Sequence, residues 1–281
     1  MIYFIKNKYL LVSVNTFGAE IVSVVFNGVE RVWQNENGKW SGHSPVLFPV
    51  CGNSAVVIDG KDYNMPFHGL AKRNDFSVVS VDEKSITLLF KYDEKTLEVY
   101  PFKFEFFVTY TVEENSIKVN YVVKNVGDND MPFAVGRHDS FSLESSLDDY
   151  RLIFSSKENF LAERHDDDGS LTNFYDDLGT GNVLDCLDDR LIGGRTIILG
   201  DIKSSSVLLE TIKGERVAEV CFKDINNLLL WRPDRSEMIC IEPWSALPDS
   251  TIENVDFCNS QKYSTVKPND EKHFSFDIKY F

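Results

Sequence analysis

Apolar and polar residues alternate along much of this chain. Between positions 102 and 112, Phe102, Phe104, Phe106, Val108, Tyr110 and Val112 fall on one side of a period-two pattern, and Lys103, Glu105, Thr109 and Thr111 on the other. That period places successive side chains on opposite faces of an extended segment, so a long strand with one buried face is expected. A Glu-Glu-Asn turn at 113–115 follows, after which Ile117, Val119, Tyr121 and Val123 alternate with Lys118, Asn120 and Lys124, as in an antiparallel hairpin. The segment 85–92 fits the same meander. Phe274, Phe276, Ile278 and Tyr280 alternate with Ser275, Asp277 and Lys279 near the end of the chain, and its first residues are strand-like too. Between these, 9–14, 19–25, 76–81, 195–199, 206–211, 217–222, 227–231 and 238–241 are short β-branched, aliphatic or aromatic runs divided by Gly, Asn and Asp. No amphipathic stripe of 3.6-residue period runs beyond about two turns.

The pattern predicts an all-β protein. With no Pro-, Gly- or Ser-rich linker and no fixed-period repeat, the expected organisation is a single domain over residues 1–281. The region 143–190 is weakly patterned and carries paired and tripled Asp at 148–149, 166–168, 176–177 and 188–189. It is expected to form long loops on one rim.

Composition narrows the partners. A hydrophobic content of 43% with 21 Phe and 11 Tyr supports a sizeable core and favours strands. The formal net charge of −15 repels phosphate backbones and anionic lipid headgroups, so neither nucleic acid nor membrane is an expected partner. Five scattered cysteines without a C-x-x-C pair read as reduced thiols. The charged N-terminal residues lack a secretory pattern, and no stretch of 18 apolar residues occurs, so a cytoplasmic location is expected.

Nucleotide-binding and common hydrolase motifs are missing: no G-x-x-x-x-G-K-[ST], no G-x-G-x-x-G after a strand, no H-E-x-x-H and no G-x-S-x-G. His165-Asp166-Asp167-Asp168-Gly169 invites a calcium reading, but Arg164 and Tyr175 stand where an EF-hand loop needs acids, which leaves a solvated acidic loop. Three polar residues in apolar or turn-forming surroundings remain. His68 is bracketed by Pro66 and Gly69, His138 follows a strand, and Glu242 closes the apolar run Met238–Ile241. On spacing alone each histidine fits a core or capping role as well as a functional one. A carboxylate beside apolar surface needs a partner or has its pKa raised, which leaves pairing and function both open for Glu242.

Segments 64–72 (Asn-Met-Pro-Phe-His-Gly-Leu-Ala-Lys), 131–138 (Met-Pro-Phe-Ala-Val-Gly-Arg-His) and 240–244 (Cys-Ile-Glu-Pro-Trp), preceded by 45–50 (Pro-Val-Leu-Phe-Pro-Val), resemble in order and spacing the signature segments of the aldose 1-epimerase (galactose mutarotase) family, most closely its LacX-like branch. The resemblance covers nearly the whole chain. It implies a β-supersandwich with the sugar site in a cleft on one face and no metal or organic cofactor; separately, a monomer or homodimer is expected. It further implies that Glu242 takes the proton of the anomeric hydroxyl, that His138 protonates the ring oxygen and that His68 holds the substrate, with Trp244 or Phe67 as a flat apolar face for the ring. A modest upward shift would make the His138 imidazole a competent acid.

The sequence departs from the family where an Arg is common after the Phe-Pro segment and this chain has Asn53, and where an acid is common and it has Arg195. Lys72 and Arg73 stand where a single Arg is usual, and Arg137 precedes His138. Asn53, Lys72, Arg73, Arg137 and Arg195 are therefore candidate substrate contacts. Gained positive charge suggests a hexose 6-phosphate as an alternative to a free aldohexose. A non-catalytic carbohydrate-binding protein is the alternative from another class.

Overall fold

The computed structural model describes residues 1–36, 38–52, 56–249 and 256–281. The alternating segment forms the strand Phe104–Glu113, paired antiparallel with Ser116–Asn125 from Phe104↔Asn125 to Glu113↔Ser116, so that the turn tightens to Glu114 and Asn115. Phe104, Phe106, Val108 and Tyr110 are fully buried on one face. Ser85–Lys91 pairs on one side of this hairpin and Glu271–Tyr280 on the other.

These four strands lie toward one end of a sheet that has 15 antiparallel strands among the described residues. The sheet continues from Glu271–Tyr280 through Arg216–Cys221, Ser206–Thr211, Tyr150–His165, Ile197–Leu199 and Asn227–Trp231 to Met238–Trp244 and the short strand Gly136–Arg137. A separate four-stranded sheet is built from Ile2–Lys6, Leu10–Asn15, Glu20–Phe26 and Val29–Glu30. Its Ile5, Val12 and Val14 belong to the same apolar cluster as Phe106 and Ile278, and the Tyr110 hydroxyl donates to the Ala19 carbonyl at 2.7 Å. Among the described residues no helix is long and apolar enough to cross a membrane.

The region 143–190 corrects the expectation of loops. It holds two of the longest strands, Tyr150–His165 and Leu171–Leu184, paired as a hairpin whose register shifts three times. These shifts interrupt the regular pairing, which erases a simple alternation. Leu171–Leu184 is also buried only at its two ends, so it needs no apolar side. The Asp166–Gly169 segment is the hairpin tip, where Gly169 donates to the Asp166 carbonyl and the Asp168 carboxylate accepts from the Ser170 amide.

Candidate active site

The strand Met238–Trp244 is buried along its whole length. Period two puts Cys240, Glu242 and Trp244 on one of its faces and Ile239, Ile241 and Pro243 on the other. Glu242 lies directly opposite Leu229, and Leu229 opposite Ile198, so these side chains share the face that floors a cleft of about 130 Å³. His138 enters from the junction between Gly136–Arg137 and Asp139–Ser142, both paired with the Glu242 strand. His68 enters from the loop 64–70. The three candidates thus meet at one cleft, together with Trp231, Trp244, Phe67 and Pro248.

His138 Nε2 stands 3.4 Å from Glu242 Oε1. Trp40 stacks on the imidazole with ring centroids 5.1 Å apart, and Trp231 meets it edge-on. The Trp33 indole donates to the Trp40 carbonyl at 3.0 Å, which fixes this cover. Burial, reinforced by the Lys72 charge, takes the His138 pKa down to about 3. Burial pushes the Glu242 carboxyl well above its ordinary range; Lys72 opposes this, while Asp139 adds to it. The expected upward shift of His138 is therefore corrected: two indoles replace the water that would solvate an imidazolium, and the cation of Lys72 repels it.

His68 is the third residue of a turn closed by the Gly69 amide on the Pro66 carbonyl, with φ of +65°. Gly69 follows at +72°, and a Cβ there would meet the Phe48 carbonyl oxygen at 2.4 Å. The Gly52 amide donates to His68 Nδ1 at 2.9 Å, so the ring proton sits on Nε2. Burial first, then the charges of His138, Lys72 and Arg73, hold the His68 pKa well below 6.5. His68 is a neutral donor of fixed tautomer. It meets His138 edge to face at 5.5 Å and Trp244 at 5.3 Å. Gly136 lets that indole lie flat on the strand, since a Cβ would stand 2.7 Å from Trp244 Cδ1.

The basic candidates separate. Lys72 is half-buried and its charge bears on His68, His138 and Glu242 alike. Arg73 is tied to the Phe67 and Gly69 carbonyls and so braces the His68 turn. Arg137 faces away from the cleft, as strand alternation requires of the residue before His138. Its guanidinium is in the core, with Nε 2.7 Å from Asp139 Oδ2 and Nη1 3.2 Å from the Tyr121 hydroxyl. Arg195 is exposed and lines a neighbouring, larger cleft. Asn53 lies outside the described residues.

Sequence reasoning missed Trp40 and Trp231, which cover His138, and Asp139, which holds Arg137. Asp139 was legible as a strand neighbour at i+2; Trp40 lies in a segment without period. Among the described residues, His138, Cys240 and Glu242 bring potential metal donors within 4.8 Å of one another. Burial and the Glu242 charge hold the Cys240 thiol protonated, which makes it a poor ligand.

Residues 1–170 match the family model described as aldose 1-epimerase. The chain is 31% identical to the chromosomal protein LacX of Lactococcus lactis over 294 aligned positions, covering 98% of this chain and 97% of that one. The galactose mutarotase related enzyme of Lactobacillus acidophilus superposes with a TM-score of 0.91 at 30% identity, covering 100% and 97% of the two chains. A galactose mutarotase-like protein of Lactobacillus casei gives 0.93 at 25% identity over 100% of both. The all-β fold is thus that of the galactose mutarotase-like proteins, and with a family model matched over more than half of its length and a relative 31% identical along nearly all of it, this chain belongs to the aldose 1-epimerase family.

Proposed function

We propose that the protein interconverts the α and β anomers of an aldohexose, with Glu242 and His138 as the acid/base pair. The observation that carries this reading is the 3.4 Å approach of His138 Nε2 to Glu242 Oε1 on the floor of an aromatic-walled cleft. With the anomeric carbon above the pair, Glu242 takes the proton of O1, His138 gives its proton to the ring oxygen O5, and the C1–O5 bond breaks to leave the open-chain aldehyde. Rotation about C1–C2 and the reverse transfers close the ring on the other face. One proton enters the pair and one leaves, so the enzyme returns to its starting state.

The electrostatics suit a pair that shares one proton. Charging His138, with its pKa taken from 6.5 to about 3, costs ~5 kcal/mol. The attraction of an imidazolium to a carboxylate at 3.4 Å offsets this by ~5 kcal/mol at an effective dielectric near 20. What remains is the cost of ionising Glu242. A sugar hydroxyl donating to the carboxylate lowers that cost, and the Lys72 charge lowers it further. Seating of substrate thus shifts the pair toward its ionised form. Nε2–H of His68 supplies a hydrogen bond to a sugar oxygen, and Trp244 a flat wall.

The test is anomer exchange measured by NMR on galactose, glucose and their 6-phosphates. Glu242→Gln and His138→Ala should each slow exchange by at least about a hundredfold. Saturable binding of these sugars without any acceleration would overturn the reading in favour of a carbohydrate-binding protein.

A further inference from the structure

Resting on the mutarotase reading, we propose that the cleft is the first subsite of a longer groove and that the preferred substrate is an aldose bearing a glycosyl substituent, a reducing disaccharide. The groove follows from register. Glu242 is opposite Leu229, Leu229 opposite Ile198, Ile198 opposite Glu163 and Glu163 opposite Tyr175, which makes one row across five strands with all side chains on one face. Three interstrand steps place Glu163 roughly 14 Å from Glu242. That is more floor than one pyranose ring covers.

Space accompanies the row. The cleft over Glu242 opens past His165 and Thr196, which it shares, into a neighbouring one of about 930 Å³ lined by Glu163 and Arg195. Glu163 is buried to 7% exposure and accepts from the Asn173 amide, which fixes its carboxylate in the wall. Tyr175 ends the row with a 53% exposed ring beside it. An exposed aromatic next to a fixed acceptor suits one apolar face of a sugar and its hydroxyls.

Charge argues for a neutral second ring rather than a phosphate. The larger cleft carries Arg164, Arg190 and Arg195 against Glu163, Asp176, Asp177 and Asp189. Arg164 is already paired with Asp176, and Arg190 donates to the Asp185 carbonyl. A dianion would meet a net acidic wall, whereas a hydroxylated ring uses donors and acceptors together.

Exchange rates for maltose, lactose, glucose and glucose 6-phosphate decide this with the full-length protein. The disaccharides should show kcat/KM about tenfold above glucose, equivalent to ~1.4 kcal/mol. Tyr175→Ala, a surface change, and Glu163→Gln, which keeps an acceptor, should each reduce the ratio of disaccharide to glucose toward one. Acceleration of glucose without a disaccharide preference, or a preference that survives both substitutions, overturns the proposal. So does a preference for glucose 6-phosphate that Arg195→Ala abolishes. No acceleration of any aldose would instead remove the mutarotase reading. Maltose titration by calorimetry then judges the groove alone: binding lost in Tyr175→Ala supports it, and no binding overturns it.

Discussion

Removing the Arg137 guanidinium tests whether this residue is a ligand or part of the frame. Arg137 and Asp139 are 1% and 2% exposed, and the guanidinium grips both oxygens of the carboxylate. Breaking one partner of a buried pair typically costs ~3–5 kcal/mol, because the other charge is left without water or a counter-ion. For 281 residues the entropy of unfolding is about 0.6 kcal/mol per degree, so Arg137→Met and Asp139→Asn should each lower Tm by roughly 5–8 °C. The double variant Arg137→Met/Asp139→Leu leaves no orphan charge, and its Tm should lie closer to wild type than either single variant. Scanning calorimetry with urea unfolding measures this. Because the pair faces away from the cleft, the double variant should also keep anomer exchange. Additive losses in the double variant, or single variants that stay within about 2 °C while losing affinity for a hexose phosphate, would refute the core-pair assignment.

Two further outcomes are expected. The pH profile of kcat/KM reports the free enzyme's pair, whose lowered member is His138 and raised member Glu242. A lowered imidazole takes up the second, inactivating proton only in strong acid, so activity should persist from neutral pH down to about pH 4, with the alkaline limb set by Glu242. NMR exchange corrected for the spontaneous rate would show otherwise through an acid limb with apparent pKa near 6.5. Gly69→Ala should destabilise the fold and displace His68, since its Cβ meets a backbone oxygen at 2.4 Å in a left-handed conformation. A crystal structure of that variant with an unmoved turn and unchanged Tm would contradict this.

Much of the fold was legible because burial on one face of a strand leaves a period of two. The segments 206–211 and 227–231 match their strands end to end, and 102–112 with 117–124 nearly match Phe104–Glu113 and Ser116–Asn125. The Leu171–Leu184 strand was not legible: an edge strand with a mostly solvated surface and a slipping register imposes no apolar pattern. Within the site, His68, His138 and Glu242 were found by family signatures rather than by period. The pKa of His138 was misjudged because the indoles of Trp40 and Trp231, which strip its water, come from segments far away in sequence.

The sequence by itself determined the all-β class, the strands of the core meander, the family and the three polar residues of the cleft. Alternation and short motifs are local properties, and local chain geometry suffices to express them. Only the tertiary structure decided which way each charged group points. Arg137 and His138 are adjacent in sequence, yet one anchors a core ion pair and the other faces the cleft, because neighbours on a strand project to opposite sides. The row from Glu242 to Tyr175 likewise exists only through pairing between strands, a register that no single segment encodes.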